Sequence, residues 1–563
     1  MGSSSLEIQQ QDDPKTQGHD IDEEKNFDIA LGHEMSVQKP DFAVGEGITS
    51  FEEVGEMRQG LHQRHIQMIA LAGTIGTGLF LGSGSALVNG GPLGAFLSYT
   101  IVGMGVSGVC LAVGELGALV PLSGGMVRYA EIFFDPALSF ADGWNQIYGT
   151  VVGLPAEMVA ASVLVSFWIE VNNAIWISVF GSLVMITSLL FVRVYGELEF
   201  GFAILKIALI IIVNITALVI TCGGGPSGDP IGFRYWKSPG VFAVEYMGYT
   251  NNLGKFMGFW ATMVSACFAY SSIQGFANPA AETRSPRRSI PMAAKRIFIR
   301  IISFYAISIF MTTLVVPSTD PHLLQESGTA SQSPFVIASQ LAGIKVLPSV
   351  INTLLICSAW SAGNSFMLSS SRTLYGMARR GFAPKHFMRL NRFSIPYVAV
   401  AFIGVFIALG YMTLDNTAST VFTWMQSLVA VSALVDWIVV LITYLRFYYG
   451  CKAQGISRQE LPWASPLQPY LSWTALSFFL VVIITNGFEV FLNGHWSTET
   501  FISSYFGIAF VVVLYFGYKV IKRSKIVSLQ DMPIREFIEI ANANPEDPPK
   551  PKKGWRKLNI LWE

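Results

Sequence analysis

The sequence predicts an all-α polytopic membrane protein with about twelve transmembrane helices. Three observations carry this. First, the 563 residues are 52% hydrophobic and only 13% charged, where soluble domains carry about 25% charged residues. Second, apolar runs of the roughly 20-residue length that spans a bilayer recur along the chain, between Ile66 and Ile521. Third, Lys and Arg gather in alternate loops, the pattern that sets the orientation of membrane proteins.

The elements follow in order. Residues 1–60, which include "QQQDDPKTQGHDIDEEKNFD", have almost nothing to bury and are expected to be a disordered cytosolic tail. The basic start and apolar stretch of a signal peptide are missing from them. Residues 61–521 hold the spans and form the membrane domain. Basic clusters lie between spans six and seven (Arg284, Arg287, Arg288, Lys295, Arg296) and after span eight (Arg379, Arg380, Lys385, Arg389, Arg392). Others follow span ten (Arg446, Lys452, Arg458) and span twelve (Lys519, Lys522, Arg523, Lys525). With twelve spans and a cytosolic N-terminus, all of these fall on one side. The long loop after span five, with Arg234, Lys237 and Lys255, is the exception. Residues 522–563 are expected to form a second cytosolic tail.

Several function classes are excluded by type. The net charge of -1 gives no polyelectrolyte signal for nucleic acid. The five cysteines are scattered without zinc spacing and read as small packing residues. His62 and His65 precede span one and read as a juxtamembrane basic segment, not a metal site. No cofactor motif is present.

The stretch "AGTIGTGLFLGSGSAL", Ala72 to Leu87, carries five glycines inside an apolar run, each costing a helix interior roughly 1 kcal/mol relative to alanine. Gly78 and Gly82 form a GxxxG pair suited to close helix packing. A second interrupted segment lies in span six, where Tyr270, Ser271, Ser272, Gln274 and Gly275 are followed by Asn278 and Pro279. Spans one and six are equivalent positions if the first ten spans form two five-span repeats. Interruptions at matching places in two halves point to a mid-membrane binding site. Unwinding frees backbone groups that cannot stay unsatisfied in hydrocarbon. Freed N–H groups at a half-helix start suit a carboxylate, and freed carbonyls suit an ammonium. A small zwitterion is the natural ligand.

Ionisable residues inside spans are costly and are functional candidates by default. Lys206 lies about two turns inside span five, beyond Glu197 and Glu199, which are read as marking the membrane edge. Its readings are an inward-facing role or snorkelling to that edge. Glu157, beside Pro155 in span three, is either a proton carrier or a carboxylate hydrogen-bonded between helices. Asp436 lies in span ten. Glu115 and Glu489 sit nearer span ends and read as interfacial. Lys206 is the only deeply placed cation in this reading.

These motifs resemble the fungal amino acid permeases of the amino acid–polyamine–organocation superfamily. "HIQMIALAGTIGTGLFLGSG" resembles the first span, and "GELGALVPLSGGMVRYAEIFFDPALSFADGW" the second span and the start of the third. "AETRSPRRSIPMA" is similar to the loop after span six, and "SAGNSFMLSSSRTLYGMARRGFAPK" to span eight and its loop. "GFRYWKSPGVF" and "PFVIASQLAGIKVLPSVIN" most resemble the dicarboxylic amino acid permease branch. The resemblance implies two inverted five-helix repeats plus two helices, with helices one and six broken. It implies proton-coupled uptake of amino acids across the plasma membrane, with both termini cytosolic and ubiquitin-ligase adaptors as partners of the tails.

By position, the resemblance assigns Thr74, Ile75, Gly76, Thr77 and Gly78 to the substrate α-carboxylate. It assigns Phe268, Ala269, Tyr270, Ser271, Ser272 and Gln274 to the amino group and side-chain pocket. Lys206 matches a span-five lysine that in relatives joins spans one and eight, where sodium-driven members hold an ion. The chain also departs from the pattern. Relatives commonly read F-S-Y-x-G-x-E in span six, and here "FAYSSIQG" puts Ser272 at the glycine and Gln274 at the glutamate. Gln274 does not titrate, which leaves Glu157 and Asp436 as proton candidates beside Lys206. Three readings follow: a symporter of broad specificity, one specific for glutamate and aspartate, and a sensor with little flux. A membrane-embedded enzyme is disfavoured because the spans hold no nucleophile–base pair.

Overall fold

The computed structural model describes residues 75–121, 125–169, 171–189, 192–226, 228–271, 273–277, 285–323 and 333–546, without the side chains of residues 192–196 and Gln274. Thr74, Ser272, Asn278, Pro279, the N-terminal tail with His62 and His65, and the last residues of the C-terminal tail lie outside them. Among the described residues the secondary structure is helical throughout. Seven helical stretches are long and apolar enough to cross a bilayer, and two shorter apolar helices, Asn173–Ser188 and Tyr470–Thr485, join them.

The stretch Thr77–Leu119 is two spans in one. Gly91 divides it with φ 70° and ψ -179°. That left-handed φ favours glycine, and a Cβ there would sit 2.5 Å from the backbone of Phe242 and Ala243. Pro92 starts span two because a proline is tolerated in a first turn. With Asn252–Ala269 and Leu347–Arg379, the described residues contain twelve spanning segments, as the sequence predicts. Span three, Pro136–Val165, starts with Asp135 accepting the Ala137 N–H at 2.8 Å and Pro136 in the first turn, a pairing that favours helix initiation. Span five is Val192–Thr221, and span ten is Ala418–Ala453.

At the first expected interruption Ile75 and Gly76 are non-helical and a helix begins at Thr77; the residues before Ile75 lie outside the described ones. In span six the α-helix stops at Ala269 and the chain continues as a 3-10 turn over Ile273–Ala277. Span seven holds a third irregularity. Its helix Pro286–Arg300 passes through a π turn, Ile301–Ala306, into Ile307–Val315, and such π turns mark functional positions.

The ends of spans three, ten and twelve meet on the face that carries the basic clusters. Lys519 pairs with Asp135, which also accepts from Ser524 at 2.7 Å. Burial opposes ionisation of Asp135, but the Lys519 ammonium, the Ala137 N–H and the Ser524 hydroxyl outweigh it and hold its carboxyl below the usual carboxylate range. The segment beyond span twelve lies across this face. Val527 donates to the Phe134 carbonyl at 2.8 Å, and Gln454 donates to the Met532 carbonyl at 2.8 Å. The amphipathic helix Ile534–Ala543 then buries Ile534, Phe537, Ile538 and Ile540.

Candidate functional site

The two interruptions face each other. A Cβ on Gly78 would lie 2.8 Å from the Ala269 Cα and 2.9 Å from Phe268 Cδ1, so glycine at this position lets span one touch span six. Gly82 has only ordinary contacts, at 3.6 Å or more. The close approach expected of the Gly78/Gly82 pair therefore falls on Gly78 alone.

The backbone freed in span one is held from several sides. Ser358 of span eight donates to the Ile75 carbonyl at 3.0 Å, and Tyr99 of span two donates to the Gly78 carbonyl at 3.2 Å. The first N–H of the helix that begins at Thr77 points at Glu157 and lies 3.4 Å from each carboxylate oxygen. A Cβ on Gly76 would overlap that carboxylate. Glu157 is buried to 3% exposure, so a carboxylate already occupies the place expected for the ligand's carboxylate.

Lys206 is fully enclosed, at 2% exposure, and its Nζ lies 4.0 Å from Glu199 Oε1. The inward-facing reading holds and snorkelling does not. Glu199 is also not a membrane-edge residue, unlike Glu197, which is exposed. It lies two helical turns before Lys206 on the same face, is 2% exposed, and accepts from Ser361 of span eight at 2.9 Å and 3.0 Å. Glu157 also acts electrostatically on Lys206. Spans one, three, five and eight thus meet around one buried lysine and two carboxyl groups. Sequence reasoning missed Glu199 because its neighbour Glu197 does lie at the surface. The seven-residue spacing from Lys206 is the signal that would have found it.

Span six is braced from behind. Tyr305 donates to the Ala269 carbonyl at 3.1 Å, and Tyr270 donates to the Tyr99 carbonyl at 3.0 Å. The Tyr270 and Tyr305 rings lie 4.3 Å apart. Arg300 donates to the Tyr305 hydroxyl at 3.2 Å and is completely buried. This corrects the expectation that Lys206 is the only deep cation. Arg300 sits in a run of Lys and Arg that reads as loop and boundary, and the π turn brings it onto Tyr305. Phe268 packs edge-on against Phe422 of span ten at 5.8 Å, and Ser271 is half-buried at the break.

Asp436 lies elsewhere. It accepts from Asn145 of span three at 2.8 Å, beside Asp142 and away from Lys206. On span three, Asp142 and Glu157 are fifteen residues apart, roughly 22 Å along a helix. Glu115, near the end of span two, is 1% exposed and accepts from Ser465 N at 2.7 Å, Tyr444 at 2.8 Å and Arg458 at 3.0 Å.

Comparison with known proteins identifies the family. The family model for "Amino acid permease" matches residues 65–530. The chain belongs to the amino acid permease family. It is 34% identical over 518 residues to the dicarboxylic amino acid permease of Saccharomyces cerevisiae, covering 91% of this chain and 84% of that protein. It is 37% identical over 485 residues to the proline-specific permease of the same yeast, covering 84% and 77%, and 32% identical over 504 residues to its lysine-specific permease, covering 89% and 82%. A crystal structure of a manganese transporter from Eremococcus coleocola shares the fold, with a TM-score of 0.56 and 12% identity over 88% of this chain and 97% of that one. This permease is therefore a multi-pass membrane protein of a transporter family, and its relatives bear the names of permeases, not enzymes.

Proposed function

We propose that the chain is a proton-coupled L-amino acid symporter of the fungal plasma membrane. It imports amino acids by alternating access, with both termini cytosolic. The observation that carries this reading is the Thr77 N–H, freed by the break in span one and answered by the buried Glu157 carboxylate. The substrate α-carboxylate takes this donor along with the freed backbone of Thr74 to Gly78. Glu157, deprived of its donor in a low-dielectric site, then takes up a proton. Lys206 serves as the fixed cation that joins spans one, five and eight. The freed span-six carbonyls from Phe268 onward receive the ammonium, and Ser271, Ser272 and Gln274 meet the side chain.

Specificity is read as broad, not dicarboxylic. Glu199 pairs with Lys206, so that cation is already engaged and is not offered to a second substrate carboxylate. The named specificities of the relatives differ among themselves, which fits a pocket chemistry set outside the shared backbone site. Ubiquitin-ligase adaptors are proposed partners of the tails.

The test is uptake of labelled amino acids by a permease-deficient yeast expressing the chain, with and without an uncoupler. Uptake that collapses with the uncoupler supports the reading, and uptake indifferent to it sinks the proton coupling. Binding with tail-dependent signalling and no accumulation would replace the transporter with a sensor. Competition by the standard amino acids against one label separates broad from dicarboxylic specificity.

A further inference from the structure

The segment beyond span twelve completes the ends of two other spans. Helix Pro286–Arg300, the first part of span seven, follows Ser285, whose side chain makes no capping hydrogen bond. The first N–H groups of a helix have no partner within it. Here the Arg287 N–H donates to Glu546 Oε1 at 2.8 Å, so a residue 259 positions away serves as the cap. The contact is reciprocal. Arg287 Nη1 donates to the Ala541 carbonyl at 3.2 Å and the Asn544 carbonyl at 2.6 Å, at the end of helix Ile534–Ala543 where carbonyls need outside donors.

The start of the same segment closes the end of span ten. Arg535 donates to the Gln454 carbonyl at 2.9 Å, and Gln530 donates to the Ala453 carbonyl at 3.3 Å. These are the last carbonyls of helix Ala418–Ala453 and its cap. Gln454 returns the contact by donating to the carbonyls of Leu529 at 3.0 Å and Met532 at 2.8 Å. Arg446 of span ten donates to the Val527 carbonyl. A Cβ on Gly450 would lie 2.6 Å from Met532 Sδ, so a glycine stands where the segment crosses span ten. Between the two ends, Phe537 is 1% exposed and packs edge-on against Phe133 of the loop helix Gly125–Phe133, at 6.4 Å.

Spans seven and ten both reach the break in span six. Tyr305 of span seven donates to the Ala269 carbonyl at 3.1 Å. Gln426 of span ten donates to Ser265 at 3.2 Å, and Phe422 packs on Phe268. We propose that residues 527–546 are a regulatory strap, which ties the basic-loop ends of spans seven and ten together and restrains the span-six break through them. The strap is held by edge hydrogen bonds and one narrow apolar face, the kind of unit that opens locally without global unfolding. Its release lets the two spans part and the break move. The effect on transport rests on the symporter reading, but the tie from strap to break does not.

The test is hydrogen–deuterium exchange of the purified full-length protein, for the parent, Phe537→Ala and Glu546→Ala, with Glu539→Ala as a control at an exposed position of the strap helix. In Phe537→Ala and Glu546→Ala, amides at the start of span seven and at Tyr270 and Ile273 of the break should exchange together, about fivefold faster or more. Glu539→Ala should match the parent. Faster exchange confined to the strap and the start of span seven, with the break unchanged, overturns the tie. If Phe537→Ala fails to fold, Glu546→Ala removes only the cap and carries the same comparison. In uptake assays the two strap variants should raise the maximal rate per surface molecule by about threefold at unchanged KM, as expected when opening limits turnover. A rate that is unchanged or lowered overturns the regulatory role. If the parent accumulates no amino acid, the symporter reading falls while exchange at the break still decides the tie.

Discussion

Replacing Gly76 with alanine tests the contact between span one and Glu157. The new Cβ would overlap Glu157 Oε1 and lie 3.3 Å from the Ala362 Cβ. The methyl group is fixed on a backbone that Ser358 and Tyr99 hold through the Ile75 and Gly78 carbonyls, so the carboxylate must move. Moving it breaks the contacts to Thr77 N at 3.4 Å. A hydrogen bond to a charged group contributes about 1.5–3 kcal/mol net. If the substrate carboxylate competes for the same space, the loss appears in transport as a fall of roughly ten- to 150-fold in uptake at low substrate concentration. The assay is initial-rate uptake of a labelled amino acid, normalised to surface protein measured by a fluorescent tag. Uptake within about twofold of the parent, a change worth less than 0.5 kcal/mol, would refute the placement of Glu157 against Thr77.

Three further outcomes follow from the same geometry. Gly78→Ala forces a Cβ against the span-six backbone and should cost about 1–3 kcal/mol by overpacking, whereas Gly82→Ala should be near-neutral; thermal melts of the two purified variants make the comparison. Lys206→Ala leaves the Glu199 carboxyl unpaired in a buried site, where loss of one partner costs about 3–5 kcal/mol; the variant should reach the surface in reduced amount and transport nothing, and Glu199→Gln should lose transport with milder destabilisation. Tyr305→Phe removes the donor to the Ala269 carbonyl and the acceptor for Arg300, at about 1–3 kcal/mol, and should raise the KM for uptake; an unchanged KM would show that the brace does not shape the site.

The spans, their number and the two interruptions were legible because each is a local property: apolar length, glycine density, and polar residues in an apolar run. Lys206 and Glu157 were legible for the same reason, as charges where none is expected. What the sequence hid is partnership. Glu199 reads as an edge residue until span eight brings Ser361 to it, and Arg300 reads as part of a basic boundary until the π turn sets it under Tyr305. Asp436 was visible as a charge, but its donor Asn145 lies 291 positions away in a segment that reads as the start of a span. Gly82 failed in the opposite sense: the GxxxG spacing is present, but only Gly78 faces a backbone close enough to need it. Spacing along one helix reports which residues share a face, whereas the identity of the facing helix is a tertiary fact.

The most direct test of the central claim is accumulation of a labelled amino acid by proteoliposomes holding the purified protein, under an imposed pH gradient that drives protons inward. The account predicts accumulation above the external concentration, collapse on adding a protonophore, and none with Lys206→Ala. Equilibration to the external concentration regardless of the gradient would contradict it.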